Sequence, residues 1–227
     1  MKTSLITGVG RGIGKALAQR SLAEGFTVIG TTQTGTADYS HANLKIFKLD
    51  LSSPQSIAEC QKDLCGTGAK PDILINNAGV LLDDEETHLD ADKLRQTLEV
   101  DVIGTADFTE KMLPSLAPDG HVVFLSSQAG SITDMDNIGD SHYPYHYPAY
   151  KIAKCALNMY VRTLAARLVH EGSDTIVSAI HPGWVKTDMG GDQAPVTPES
   201  AADAIFKLAT SRPETGQFWF NGKKFAW

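Results

Sequence analysis

"SLITGVGRGIGKALAQR", residues 4–20, decides the fold. Its opening residues, Ser4 to Thr7, are a short, β-prone run of the kind buried inside a sheet. Glycines follow at 8, 10, 12 and 14, and a stretch of helical period runs from Arg11 to a capping glycine at 25. Glycine lets the backbone turn sharply, and the start of a helix aims amide hydrogens at an anion. A larger side chain in the turn would hold a pyrophosphate away. A glycine-rich turn alone could equally be a flexible surface connection. Its place between a first strand and an amphipathic helix favours a dinucleotide site, with Gly8, Gly10, Arg11, Gly12, Ile13 and Gly14 as its cradle. The spacing here is Thr-Gly-x-x-x-Gly-x-Gly rather than Gly-x-Gly-x-x-Gly.

The alternation continues outward from that turn. Strand-like runs recur at 26–32, 44–50, 71–79, 121–127, 175–180 and 216–222, with helical stretches at about 53–65, 91–116, 148–169 and from 198 onward. The runs are apolar throughout rather than alternating, which marks strands covered on both faces. No repeat or low-complexity linker divides the chain. The sequence therefore predicts an α/β fold over residues 1–227: a single Rossmann-type, doubly wound parallel sheet of about seven strands with helices on both faces. At 42% hydrophobic and 21% charged residues the composition is that of an ordinary globular protein. A net charge of −7 argues against a nucleic-acid or anionic-membrane surface, either of which needs basic clusters. No apolar run is long enough to span a bilayer, and the N-terminal apolar run breaks at Gly8, so a cytoplasmic protein is expected. Cys60, Cys65 and Cys155 make no metal pattern. His142 and His146 have helical ligand spacing, but Pro144 between them would break the helix, so no metal site is expected.

"YHYPAYKIAKC", residues 145–155, offers two tyrosine–lysine pairs four apart, Tyr147 with Lys151 and Tyr150 with Lys154. Such a pair meets when both members lie on one helix. Tyr147 precedes Pro148 and is pushed out of helical conformation, whereas Tyr150 and Lys154 fall inside the helix that Pro148 opens. Position selects the second pair. Spacing alone is weak evidence, because an amphipathic helix produces it by chance.

Taken with the glycine turn, further stretches give the chain its resemblance. Asp50-Leu51 closes a strand, "NNAG" (76–79) ends another, "LSS" (125–127) ends a third, and Tyr150-x-x-x-Lys154 precedes "HPGWVKTDMGG" (181–191). In that order they resemble the short-chain dehydrogenase/reductase family, and "PGWVKTDMGG" with the closing "NGKKFAW" most resembles its C-factor and sniffer-type carbonyl reductases. The resemblance implies an oxidoreductase that moves hydride between a nicotinamide cofactor and a carbonyl such as an aldehyde, ketone or quinone. It implies catalytic Ser127, Tyr150 and Lys154, with Ser126 as the alternative serine. It places Asp50 and Leu51 at the adenine, Asn77, Ala78 and Gly79 along the cofactor, and Pro182, Gly183, Val185 and Thr187 beside the nicotinamide, with Tyr150 and Lys154 also touching the cofactor. It also favours a homodimer, for which Cys155, Met159 and Ala166 could form a seam unless they pack internally.

Cofactor choice turns on the second strand. An acidic residue at its end selects NAD; here Thr32 stands there and no carboxylate comes before Asp38. Arg11 can meet a phosphate by charge-assisted hydrogen bonds, so NADP(H) is favoured over NAD(H), with Gln33 in place of a second arginine. The chemistry wants a phenol whose pKa, ordinarily near 10, is drawn toward working pH by a neighbouring ammonium and the positively charged oxidised nicotinamide.

Two features depart from the family. Its asparagine in "NV-x-G" is Asp101 here, in "VDVIG". An ionised aspartate accepts hydrogen bonds but cannot donate them, so a proton relay with altered pH dependence and a simple carboxylate pairing with Lys154 are both open readings. Ser127 lies 23 positions before Tyr150, which leaves an insert near 131–148 carrying Asp134, Asp136, Tyr143, Tyr145 and Tyr147, and only a short segment at 190–196 stands where relatives place a lid. An open site partly walled by the insert is expected. A nucleotide-sensing or signalling protein on the same fold is the competing class, since fold alone does not settle function; retention of both Tyr150 and Lys154 favours the enzyme.

Overall fold

The computed structural model describes residues 1–137 and 145–227, with backbone only at 136 and 137. Along the chain it forms β1 (Thr3–Thr7), α1 (Gly12–Ala23), β2 (Thr27–Thr32), β3 (Leu44–Lys48), α2 (Pro54–Gly66), β4 (Ile73–Asn76), α3 (Ala91–Leu98), α4 (Thr105–Met112), β5 (His121–Leu125), α5 (Pro148–His170), β6 (Ile176–Ile180), α6 (Pro198–Thr210), β7 (Gln217–Phe220) and β8 (Lys223–Phe225). The sheet order is β3-β2-β1-β4-β5-β6-β7-β8, parallel except for the β7–β8 pair. Strand order reverses between β1 and β4, which opens a crevice at their carboxyl ends.

Successive residues of a strand face opposite sides of the sheet. Leu5, Leu74, Val122 and Phe124 pack on one side with Phe108 of α4 and Leu157, Val161 and Leu164 of α5. Ile6, Ile73, Ile75, Val123 and Leu125 pack on the other with Leu17 of α1 and Ile205 and Phe206 of α6. Each such side chain contributes about 2 kcal/mol on burial. Two cores around one sheet are what the unbroken apolar strands require.

The sheet has eight strands, close to the seven or so expected. The extra one, β8, returns antiparallel to β7 through Asn221 (φ 48°) and Gly222 (φ 73°), a hairpin turn whose Asn-Gly signal sits in "FNGKKF". The single helix expected over 91–116 is also divided. Between α3 and α4 the residues Glu99–Gly104 form a π-turn, in which the Thr105 hydroxyl donates to the Val100 carbonyl. Gly104 is required there, because a Cβ would overlap the Leu51 carbonyl. Such bulges displace the side chains that follow and recur at functional sites. Here the turn carries Asp101.

Among the described residues no helix is long and apolar enough to cross a membrane, and no cluster of His, Cys, Asp and Glu could hold a metal. The cysteines are free: Cys60 buried, Cys65 exposed, Cys155 partly buried. His142 and Tyr143, and the side chain of Asp136, lie outside the described residues.

Candidate active site

The crevice is built first by backbone. Gly8 sits at φ +75°, and a Cβ on it would lie 3.0 Å from the Asn77 amide and 3.1 Å from the Ala78 Cα. The close approach is held by Asn77, whose Nδ2 donates to the carbonyls of Thr7 (2.8 Å) and Gly8 (3.2 Å), and by the Thr7 hydroxyl, which accepts the N–H groups of Asn77 and Ala78. The "NNAG" segment therefore staples the glycine turn. No side chain caps the start of α1 and no acidic residue lies in its first turn, whereas side chains cap α2, α3 and α6. Its leading amides, with Gly10, Gly12, Ile13 and Gly14, fit an anionic ligand such as a dinucleotide pyrophosphate.

The far wall is the segment after β6. Gly183 turns at φ 89°, Val185 bridges to Val196, and a Cβ on Gly12 would lie 3.2 Å from the Thr187 methyl. Pro182 precedes that turn. Arg11 reaches across to Asp188 at 2.8 Å, with both side chains exposed. The Thr32 hydroxyl donates to the Thr36 carbonyl, and the Thr32 methyl lies against Gly10. Asp50 accepts from the N–H and hydroxyl of Ser52, which hold its carboxyl below the usual range. Leu51 is buried in the core beside it. Asp38 is paired with Lys15 at 2.8 Å. Contacts thus bring Gly8, Gly10 and Gly12 together with Thr32, Asn77, Ala78 and Thr187, whereas Leu51 packs in the core.

Tyr150 and Lys154 lie one turn apart on α5, with the Lys154 Nζ 5.4 Å from the centroid of the Tyr150 ring. Ser127, just past β5, accepts the Ala129 N–H at 3.1 Å and is the serine whose hydroxyl acts on the Tyr150 phenol. Ser126 is turned away: it is buried and donates to Asn158 at 2.5 Å. That settles which serine faces the tyrosine. Lys154 is buried, donates to the Leu125 carbonyl at 3.2 Å and lies 2.9 Å from Asp101 Oδ2. Burial draws the Lys154 ammonium down, but Asp101 and Tyr150 outweigh it and leave it above its ordinary value. Burial likewise raises the Tyr150 phenol; Lys154 pulls it back, Asp101 pushes it up again, and the Ser127 bond pulls it down, with a net upward result. Among the protein's own groups, desolvation and a second charge thus act against the ammonium.

Tyr147 stands outside the helix at φ 43°, as a residue before proline should stand clear of helical geometry. It nonetheless meets its own lysine, whose Nζ lies 5.2 Å from its ring centroid, so the upstream pair is a cation–π contact. Rings of Tyr145, His146, Tyr147 and Tyr150 follow one another at centroid spacings of 4.9, 6.3 and 6.2 Å. The described end of the insert therefore abuts the tyrosine. Exposed Trp184 and Met189 stand on the segment after β6. Met159 and Ala166 face outward from α5 rather than into the core.

Asp83 was not legible as a site residue. It is 1% exposed, and its Oδ2 accepts the Ala149 N–H at 2.6 Å, which caps the start of α5. The Tyr147 N–H donates to the Glu86 carbonyl, and Glu86 is paired with Lys93. The cap comes from 66 residues upstream, so no local pattern announces it.

A glycine turn at the switch point of a parallel sheet, facing a serine, a tyrosine and a lysine, defines a nucleotide-dependent oxidoreductase. The chain belongs to the short chain dehydrogenase family, whose pattern matches residues 2–196; it is an oxidoreductase of the CH–OH/C=O pair that uses a nicotinamide cofactor. It is 28% identical to the mouse (Mus musculus) protein "Carbonyl reductase [NADPH] 1", over 99% of this chain and 98% of that one. It is 34% identical to "C-signal" of Myxococcus xanthus, over 69% of this chain and 92% of the relative. A solved NADPH-bound carbonyl reductase from chicken fatty liver superposes with a TM-score of 0.88 at 27% identity, covering 100% of this chain and 94% of that one. The carbonyl reductase Sniffer of D. melanogaster shares the fold with a TM-score of 0.83 at 24% identity, each chain covered completely.

Proposed function

We propose that the protein reduces a small carbonyl compound, an aldehyde, ketone or quinone, to an alcohol with NADPH. The observation that carries this is the convergence of Ser127, Tyr150 and Lys154 at the crevice beside the glycine turn. When bound, the nicotinamide cofactor supplies or accepts the hydride. Tyr150 gives its proton to the carbonyl oxygen, Ser127 holds that oxygen by a hydrogen bond, and Lys154 stabilises the phenolate left behind. Thr32 in place of an acid, Asp38 engaged by Lys15, and Arg11 on the turn support NADPH over NADH. The exposed apolar side chains of Tyr145, Trp184 and Met189 suit an apolar substrate.

Likeness to a protein called C-signal favours a second reading, in which nucleotide occupancy rather than turnover is the output. Following NADPH consumption with a panel of aldehydes, ketones and quinones separates the two. Steady turnover with at least one carbonyl is expected. Tight NADPH binding with no turnover across the panel would favour the sensor.

A further inference from the structure

Asp101 is fully buried on the π-turn, and its two oxygens are committed differently. Oδ1 accepts the Val80 N–H at 2.8 Å, which fixes the carboxylate in place. Oδ2 lies 2.9 Å from Lys154 Nζ and has no hydrogen bond to any other group among the described residues. The ammonium is therefore much closer to the carboxylate than to the centroid of the Tyr150 ring at 5.4 Å. An amide here would leave the phenol facing an uncompensated positive charge. The carboxylate pairs with that charge and offsets part of its field at the phenol.

Resting on the reductase reading above, we propose that Asp101 is a positioning residue that offsets part of the field of Lys154 at Tyr150, so that the phenol holds its proton more firmly and the site favours carbonyl reduction over alcohol oxidation. The two directions ask opposite things of the same oxygen. Reduction needs the O–H bond, whose proton passes to the alkoxide as hydride reaches carbon. Oxidation needs the phenolate, which takes the alcohol's proton as hydride leaves. A buried phenolate flanked by an ammonium alone forms readily; one facing an ion pair does not. The other groups around Tyr150 do not supply this control. Ser127, past β5, is an uncharged hydroxyl; Asp83 holds the Ala149 N–H at the helix start and is not among the charges that act on the phenol; Lys151 lies on the Tyr147 ring, which meets the Tyr150 ring edge-on at a centroid spacing of 6.2 Å.

Ultraviolet difference titration of the cofactor-free chain follows tyrosinate directly. The chain and its Asp101→Asn variant are titrated, each corrected by the same protein carrying Tyr150→Phe. The Tyr150 step should fall by about one pH unit or more in Asp101→Asn, and the limb of the pH profile for alcohol oxidation should move with it. Asp101→Glu, which keeps the charge, should leave the step near its original pH. An unchanged or higher step in Asp101→Asn, or an equal fall in Asp101→Glu, would overturn the proposal. Turnover surviving Tyr150→Phe would remove the reductase reading while leaving the titration to decide the charge relation.

Discussion

At the residue scale, function rests on what each charge faces. Arg11 is the exposed cation of the glycine turn, and without ligand it is satisfied by Asp188 across the crevice. An exposed ion pair of this kind is worth little, so it costs little to exchange for a cofactor phosphate, which an arginine meets bidentately. Arg11→Ala should therefore weaken NADPH binding about tenfold or more and leave NADH binding nearly unchanged. Fluorescence titration with both nucleotides checks this; equal losses for the two would remove Arg11 as the selective group. The placing of Tyr150 and Lys154 one turn apart on α5 was legible because proline and the tyrosine–lysine spacing dictate geometry locally, whereas Ser127 was legible only through the family resemblance. The Asp101–Lys154 pair was legible only as one of two readings, since the packing of α5 against the π-turn brings the two together.

At the element scale, the helix that carries Tyr150 and Lys154 is set by its start. Proline opens α5, a left-handed Tyr147 leads into it, and the Asp83 carboxylate takes the N–H of Ala149, next to Tyr150. Caps of this type contribute about 1 kcal/mol. Asp83→Ala should lower stability by about that amount or somewhat more, since the capped amide is buried. Its kcat should fall by more than its NADPH affinity, because the glycine cradle lies on other elements and α5 adds only Tyr150 and Lys154 to the cofactor's surroundings. Denaturation together with steady-state kinetics tests this, and a loss of affinity equal to the loss in kcat would contradict it. Strand and helix identities were readable from apolar runs and capping residues. The division of the 91–116 helix was not, because Gly104 and its contact with the Leu51 backbone act through tertiary approach rather than local propensity. The β8 hairpin was readable in principle, through Asn221-Gly222.

At the scale of the whole molecule, one sheet buried on both faces also buries polar groups, and this gives stability a pH dependence. His121 lies between the Ser178 hydroxyl (2.9 Å) and the Ala209 carbonyl (3.1 Å), and burial draws its pKa down to about 4. The carbonyl requires a proton on Nδ1, so Nε2 accepts from Ser178. An unfolded histidine titrates near 6.5. As pH falls, the unfolded chain takes up the proton first, so the contribution is whole above about 6.5 and is lost progressively toward about 4. The loss is about 3 kcal/mol. His121→Gln should show a shallower decline between pH 7 and 4.5 in urea unfolding, and an equal slope would exclude His121 as the cause. The central claim concerns the crevice at the switch point of that sheet, and single-turnover oxidation of bound NADPH in Tyr150→Phe tests it most directly. The account predicts that NADPH still binds with nearly unchanged affinity while its oxidation by a carbonyl slows about a hundredfold or more. Oxidation at the unaltered rate would contradict it.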